Sequence, residues 1–416
     1  MEKAWVCKFG GTSLANASQI KKVKEIIEGD SRRRFVVVSA PGKEDSKDTK
    51  ITDLLLECHS LVREGKSFEA PFNKIRERFQ EIGEALRSRV NLKGELDKIY
   101  GELPTQTTSD YAASRGEYLN ALLLSEYFGG EFVDASEVIR LTNSGQIDES
   151  SYPLLAKRCE GEAPLYVIPG FYGLDEGGSL KTFSRGGSDI TGAIVARAIK
   201  AELYENWSDV SGIYLADPRI APQAPVVPHL TYHELALLAQ LGASVFHRDA
   251  VEPVVGPGIP IRVKNTNDME AAGTLITAER EVVSQPIVGV SGLPSVHKLL
   301  TTKETLQILD QLKIDYYSVP EGEAVYSISP FSIEERGALS GAGISFSSEK
   351  ALVGVVGEGW QKGSPLAAKI KEEFGKQNLP YTLVSDSGAD LALIETEPSH
   401  YTTLIKVLVE VLRKAT

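Results

Sequence analysis

Two glycine pairs at strand-to-helix turns are the features of this sequence best suited to chemistry. The first lies in the run KFGGTS, which begins at Lys8, and the second lies in SRGGSD, which ends at Asp189. In each, an apolar strand-like run ends, the glycines let backbone amides approach an anion, and a helix follows whose positive end can face phosphate. Lys8 and Arg185 add full positive charges. Each turn taken alone could be an ordinary glycine turn, but two at the carboxyl edge of one sheet would form a single deep anion site.

A third segment, DVSGIYLADPR, follows another strand-like run. Asp209 could accept a hydrogen bond from a ribose or a base, Tyr214 offers a stacking face, and Arg219 could meet a phosphate. On spacing alone, an ordinary loop with common turn residues is the better explanation of this segment.

Two further positions are suited to an amino-acid ligand. Glu117, in the run RGE, opens a predicted helix and could hold an ammonium group, although an acidic residue in a first turn often only complements the helix dipole. Ser39 and Thr52 flank a polar loop and could hold a carboxylate.

Composition and charge exclude several classes of protein. The chain has 416 residues and a net charge of −12, from 57 acidic and 45 basic residues, which argues against a nucleic-acid partner. No apolar run is long enough to span a membrane. The three cysteines are widely spaced, and neither a disulfide scaffold nor a zinc cluster is indicated. We expect a cytoplasmic protein that binds neither nucleic acid nor membrane.

The first 280 residues alternate strand-like runs with helical periods, which predicts an α/β architecture with a mostly parallel sheet and helices on both faces. The run 35–38 is continuously β-branched or aromatic, typical of a strand covered on both faces. The predicted strands are 4–8, 35–38, 132–135, 165–168, 181–183, 202–207 and 259–264. The predicted helices include 51–62, 66–90, 115–128 and 190–199.

The tail contains an internal repeat. Segments 288–328 and 353–393 match at a constant offset of 65, so that Val288 and Gly289 correspond to Val353 and Gly354. Each copy predicts a strand, a helix, two further strands and a second helix, which indicates a duplicated α+β unit. The polar stretch 277–286 ends in proline and is typical of a linker.

Together these residues resemble the aspartate kinase branch of the amino acid kinase family, with a tail similar to paired ACT domains. Six motifs occur in the family's order: KFGGTS, VVVSA followed by ITDLL, RGE, SRGGSD, DVSGIYLADPR and IPIRVKNTNDMEAAGTLI. The resemblance implies a three-layer αβα sandwich with a mainly parallel central sheet, followed by two α+β ACT-type (βαββαβ) domains. It divides the chain into a catalytic domain over 1–280 and ACT domains over 281–348 and 349–416.

The resemblance also implies an activity. The expected reaction is ATP-dependent phosphorylation of the β-carboxylate of L-aspartate, giving L-4-aspartyl phosphate and ADP, the first step toward lysine, threonine and methionine. Mg²⁺ is expected with ATP, bridging phosphate oxygens, without a dedicated protein metal site. A lysine or threonine effector at the ACT domains and a homodimer are further expectations, while ACT domains used only for dimerisation remain an alternative.

Motif matching assigns the expected site residues. The catalytic pair is Lys8 and Asp189. The residues expected around aspartate are Ser39, Thr52, Glu117, Phe171, Arg185 and Ser188. The residues expected around the nucleotide are Lys8, Gly10, Gly11, Ser13, Ser208, Asp209, Tyr214 and Arg219.

The chain departs from the family pattern at two places. Ser244 stands where the family often has a lysine that contacts nucleotide, and Arg248 could supply that charge instead. The loop between Ser39 and Thr52 is longer and more charged than usual. Two alternatives therefore stay open: a related kinase that phosphorylates another amino-acid carboxylate, and a non-catalytic amino-acid sensor.

Overall fold

The computed structural model describes residues 4–161, 163–183, 186–243, 250–281, 286–319, 324–358, 360, 364–385 and 390–414. The chain forms two compact units. The first comprises 1–212 and 246–278, and the second comprises 213–245 and 279–416. No helix within the described ranges is both long and apolar enough to cross a membrane.

A mainly parallel sheet is the centre of the first unit. Its strands run in the order β3-β4-β2-β1-β7-β9-β10, all parallel except β10, which is antiparallel to β9. A small antiparallel hairpin of β5 and β6 lies outside it. The strands up to residue 281 are β1 (Trp5–Phe9), β2 (Arg33–Val38), β3 (Glu131–Phe132), β4 (Tyr166–Pro169), β5 (Tyr172–Leu174), β6 (Leu180–Thr182), β7 (Leu203–Ser208), β8 (His229–Thr231, in the second unit), β9 (Ile261–Asn265) and β10 (Thr274–Thr277).

Helices cover both faces of this sheet, because alternate residues of each buried strand point to opposite sides. Cys7 and Phe9 of β1 belong to the core on one face, with α1, α2 and α5, while Val6 and Lys8 face α8. The helices up to residue 281 are α1 (Ala17–Glu28), α2 (Ile51–Arg63), α3 (Glu69–Ala85), α4 (Leu92–Glu102), α5 (Ser109–Phe128), α6 (Ala135–Val138), α7 (Ser151–Arg158), α8 (Gly187–Ala198), α9 (Tyr232–Gln240, in the second unit) and α10 (Glu252–Val255).

Local signals set several helix boundaries. The Asn16 side chain accepts a hydrogen bond from the Gln19 amide and begins α1, while Gly129, with φ of 70°, ends α5. The charged segment 66–90, predicted as helical, contains the 17-residue helix α3. Its aromatic side chain Phe72 packs edge-on against Tyr100 of α4.

The predicted strands differ from the structure in three places. The strand predicted at 132–135 ends at Phe132, because Asp134 caps the short helix α6. The strand predicted at 181–183 is β6, which pairs antiparallel with β5 instead of joining the main sheet. The strand predicted at 259–264 is β9, and it is followed by one more strand, β10.

The second unit contains two antiparallel sheets, which confirms the predicted α+β character of the tail. The strand orders are β11-β15-β17-β16 and β12-β14-β13. The strands are β11 (Ile287–Val296), β12 (Lys298–Leu300), β13 (Tyr316–Ser318), β14 (Ala324–Ser327), β15 (Lys350–Gly357), β16 (Thr382–Ser385) and β17 (Leu391–Thr396). The helices are α11 (Lys303–Gln311), α12 (Ile333–Gly341), α13 (Pro365–Lys376) and α14 (Tyr401–Arg413).

The repeat is organised differently from the prediction. The matched stretches at Val288 and Val353 lie in β11 and β15, which pair with each other, with Gly292 opposite Val353. The smaller sheet begins instead with β12, which directly precedes α11. The boundary predicted at 348/349 therefore separates two strands of one sheet.

Candidate functional site

The carboxyl end of β1 places a lysine against a carboxylate from the second glycine turn. Lys8 is the fourth residue of β1, and its side chain lies on the face covered by α8. Its Nζ is 2.6 Å from Oδ1 of Asp189, in the first turn of α8. Both side chains are largely buried, so their attraction is weakly screened by solvent. The structure thus brings together the two residues predicted to be catalytic.

Strand β7, which pairs with β1 and places Asn206 beside Lys8, also supports Asp189. Asn206 Nδ2 donates to Asp189 Oδ1 over 2.7 Å, and the Tyr204 hydroxyl donates to the Asp189 backbone carbonyl over 3.0 Å. Tyr204 and Asn206 are two residues apart on one strand, so both side chains face α8. The motif analysis missed Asn206, although a polar amide inside an otherwise buried strand is a detectable signal.

The first glycine turn is held by backbone and hydroxyl contacts. The Gly10 amide donates to the Trp207 carbonyl over 3.0 Å, and the Ser13 amide donates to the Gly10 carbonyl over 3.0 Å. The Ser13 hydroxyl lies 2.8 Å from the hydroxyl of Thr266. The amides of Gly10 and Ser13 are therefore occupied within the turn, and Gly11 and Thr12 begin a short 3-10 helix, Gly11–Leu14.

Glu117 is a buried carboxylate with spare hydrogen-bonding capacity. It lies in α5 and is 5% exposed, and its Oε2 has no hydrogen-bond partner among the residues that the structure describes. Burial raises the pKa of Glu117 to about 7, while a hydrogen bond from the Ala40 backbone and, to a smaller extent, the positive charges of Arg115 and Lys8 oppose that shift. A buried acceptor of this kind requires a donor, and a ligand ammonium would provide one.

Ser39 lies beside the same helix. Its amide donates to the Phe9 carbonyl over 3.2 Å, and its own carbonyl accepts from Asn120 Nδ2 over 2.8 Å. Asn120 is one turn beyond Glu117 and is fully buried, and its Oδ1 is likewise without a partner in the described part of the chain. Thr52 is in the first turn of α2, at the far end of the loop that begins at Ser39.

The end of β4 packs tightly against the beginning of α8. A Cβ added at Gly170 would lie 2.6 Å from Ser188 Oγ, so only glycine permits this approach. Phe171 follows with φ of 82°, a left-handed conformation that is strained for an aromatic residue and that often marks a functional site. Its amide donates to the Thr191 hydroxyl over 3.1 Å. Phe171 and Ser188 thus occupy one corner of the sheet edge.

The remaining nucleotide positions fall in two places. Ser208 ends β7, and its carbonyl accepts from the Thr266 amide over 2.8 Å, while the neighbouring Asp209 is exposed. Tyr214 and Arg219 belong to the second unit, where the exposed Arg219 guanidinium lies 2.6 Å from Asp217 Oδ2.

Three residues of interest lie outside the described residues. They are Arg185, expected to bind a carboxylate, and Ser244 and Arg248, where the chain departs from the family pattern. Within the described ranges, no group of three or more histidine, cysteine, aspartate or glutamate residues is arranged to hold a metal ion.

The edge of the sheet therefore combines a buried lysine, a glycine turn and an unsatisfied buried carboxylate. A positive charge beside amides that begin a helix suits a phosphate group. The carboxylate of Glu117 suits an ammonium group. This combination can bring an amino acid and a phosphate-bearing ligand to one place.

Comparison with known proteins identifies the family. The amino acid kinase family profile matches residues 3–265. Aspartokinase 3 of Bacillus subtilis is 36% identical over 346 residues, covering 76% of this chain and 75% of that protein. Lysine-sensitive aspartokinase 3 of Escherichia coli is 30% identical over 325 residues, covering 72% of this chain and 70% of that protein.

A solved structure extends the similarity to the whole chain. The aspartate kinase of Clostridium acetobutylicum, described as an allosteric enzyme, superposes with a TM-score of 0.87 at 35% identity, covering 98% of this chain and 100% of that one. The main sheet has the parallel order described above. The chain belongs to the amino acid kinase family and, within it, to the aspartokinases.

Proposed function

We propose that this protein transfers the γ-phosphoryl group of MgATP to the β-carboxylate of L-aspartate. A carboxylate oxygen forms the new P–O bond, the bond to the β-phosphate breaks, and ADP leaves. The products are L-4-aspartyl phosphate and ADP. The observation that carries the proposal is Lys8 bound to Asp189 at the sheet edge, on a chain that matches aspartokinases over most of its length.

The acceptor determines what the protein must contribute. A carboxylate is already deprotonated at neutral pH, so no general base is needed. The difficulty is to bring one anion to another, so positioning and positive charge carry the catalysis. Lys8 is the residue that neutralises the transferring group. Asp189 is 2.6 Å away and holds the ammonium in place.

Glu117 is proposed to hold the ammonium of aspartate. An ammonium beside Oε2 would satisfy the unpartnered acceptor and favour the ionised carboxylate. Arg185 is proposed to bind a carboxylate of the substrate, through the planar guanidinium that suits such a group. The surrounding contacts are assigned to Ser39, Thr52, Phe171 and Ser188.

The nucleotide is proposed to lie along the glycine turn. The amides of Gly11 and Thr12 are those not used inside the turn, while Gly10 and Ser13 shape it through their own hydrogen bonds. Mg²⁺ enters with ATP as its phosphate-bound ion and needs no separate protein site. The other nucleotide contacts are assigned to Ser208, Asp209, Tyr214 and Arg219.

The second unit is proposed to regulate the kinase as a pair of ACT-type domains that bind an amino-acid effector. The name of the lysine-sensitive relative supports lysine over threonine. Such control requires that the effector bind two states of the protein with different affinity. The homodimer, the cytoplasmic location and the three-domain division stay predictions.

Trapping with hydroxylamine tests the reaction directly, because acyl phosphates react with it to give hydroxamates. The protein is incubated with MgATP, hydroxylamine and one acid at a time: L-aspartate, L-glutamate or carbamate. Hydroxamate from L-aspartate alone supports the proposal. Signal only from another acid assigns the chain to a different acceptor, and no signal from any acid contradicts kinase activity.

A matched pair of variants completes the test. Lys8→Ala removes the proposed phosphoryl contact, whereas Lys22→Ala removes a partly exposed lysine of α1 whose Nζ donates to Asn267. We expect the aspartate-dependent signal to disappear in the first and to persist in the second. Adding lysine to the unmodified protein tests the effector, and an unchanged rate would argue against it.

A further inference from the structure

The loop that follows β2 touches the glycine turn that follows β1. The Gly42 amide donates to the Gly11 carbonyl over 2.9 Å, and a Cβ added at Gly42 would lie 2.5 Å from the Gly11 carbonyl carbon. The two backbones are therefore in direct contact. The glycine turn is proposed to bind phosphate. The loop connects Ser39 with Thr52, which are both proposed to contact aspartate.

One side chain from outside all the motifs reaches both segments. Arg78 is in α3, and its side chain is 13% exposed. Its NH1 donates to the Ala15 carbonyl, which follows the glycine turn, and to the Gly42 carbonyl, each over 3.3 Å. Its NH2 donates to Asp48 Oδ2 over 2.6 Å.

Asp48 in turn organises the loop before α2. Its Oδ2 accepts from the Glu44 amide over 2.9 Å, and its Oδ1 accepts from the Thr49 amide over 2.8 Å. Burial alone would raise the pKa of Asp48, but the hydrogen bond from Arg78 and those from the two amides lower it. The carboxylate thus remains charged and keeps its three donors well below neutral pH.

We propose that Arg78 is a positioning residue that fixes the loop of residues 42–50, through Asp48, against the glycine turn. The inference rests on the proposed kinase function for its kinetic consequence, but the contact itself does not. Arg78 touches neither substrate. It sets where Thr52 and the beginning of α2 stand relative to Lys8, and so it acts on aspartate binding through the loop.

The kinetic expectation separates positioning from chemistry. Arg78→Gln and Asp48→Asn should each raise KM for aspartate about tenfold, because a displacement of about 1 Å in a positioning group is enough to produce such an effect. The change in kcat and in KM for ATP should be smaller than threefold. The double variant should be little worse than Arg78→Gln alone, because both changes break one contact.

Arg76→Gln is the matched control. Arg76 is on the same helix, two residues earlier, and its NH1 donates to Asp97 of α4 over 2.8 Å. It makes an ion pair of similar geometry away from the glycine turn. Its KM for aspartate should equal that of the unmodified protein. A tenfold rise there as well would show a general effect of α3 and would overturn the proposal.

Limited trypsin digestion tests the contact without any activity. The loop carries Lys43, Lys47 and Lys50, all exposed. At a temperature well below the melting point of every variant, cleavage at these lysines should become at least several-fold faster in Arg78→Gln and Asp48→Asn and should not change in Arg76→Gln. Unchanged cleavage together with unchanged KM would overturn the proposal. Faster cleavage in a protein without hydroxamate activity would preserve the contact and contradict only the proposed reaction.

Discussion

Lys8 Nζ and Asp189 Oδ1 lie 2.6 Å apart, although 180 positions separate them in the chain. Their contact joins the strand that ends in one glycine turn to the helix that follows the other. A cation and an anion in direct contact give the pair no net charge. In the proposed reaction, the carboxylate orients the ammonium toward the phosphoryl group.

Replacement of Lys8 is the most direct test of this arrangement. In Lys8→Ala the transferring group loses its proposed buried cation, and we expect kcat to fall about a hundred- to a thousandfold, as for loss of a principal electrostatic contact. Steady-state ADP release with aspartate and MgATP provides the measurement. Circular dichroism should show a folded protein, and turnover within tenfold of the unmodified protein would remove Lys8 from this role.

Replacement of Asn206 should lower kcat more than it changes KM for aspartate. Asn206→Leu removes the 2.7 Å hydrogen bond to Asp189 Oδ1 and leaves Lys8 as the side chain holding that oxygen. We expect kcat to fall about tenfold, consistent with the loss of one bond to a charged group, with KM for aspartate within twofold. Asn143→Leu, a substitution at an exposed asparagine, serves as the comparison and should leave both constants unchanged.

From the sequence, we could predict those residues of the candidate site whose side-chain type suits a ligand and whose position is at a strand end or a helix start. Lys8, Ser39 and Asp189 each lie at or just beyond a strand end or in a first helical turn, and parallel strands bring such positions to one edge. Asn206 was missed because an isolated asparagine in a strand has no motif. Arg78 was missed because its role depends on tertiary packing of α3 and not on local spacing.

The tail shows a different limit of sequence reasoning. The match of Val288 with Val353 indicated equivalent positions in two copies, yet β11 and β15 pair with each other. Similar apolar strands satisfy either arrangement, because strand pairing depends on partners distant in the chain. The alternation of strands and helices was therefore predictable, whereas the assignment of β11 to a sheet was not.

The raised pKa of Glu117 predicts pH-dependent aspartate binding. Its pKa is about 7 in the free protein, so the carboxylate is protonated below pH 7 and cannot hold an ammonium by charge. KM for aspartate should rise as pH falls from 8 to 6, while KM for ATP changes little. Glu117→Gln should show a high KM that is the same at both pH values. A persistent pH dependence in that variant would assign the titration to another group.

Glu117→Gln should weaken aspartate binding but increase the stability of the folded protein. Above pH 7 the folded protein carries a buried charge that the unfolded chain leaves in water. Between pH 4.5 and 7 the folded state binds more protons at Glu117, so the free energy of unfolding falls as pH rises. Glu117→Gln should therefore be more stable than the unmodified protein at pH 8, by up to about 3 kcal/mol, and equal to it near pH 4.5.

Denaturant unfolding at the two pH values, with and without saturating aspartate, measures both effects. At one fixed concentration, aspartate should stabilise the unmodified protein at pH 8 and stabilise the variant far less, because stabilisation by a native-state ligand grows with the logarithm of its concentration over Kd. Equal stability of the two proteins at pH 8 would mean that the Glu117 carboxylate is solvated or paired in solution. If Glu117 serves substrate recognition, its buried charge should lower the stability of the free protein, and bound aspartate should restore that stability.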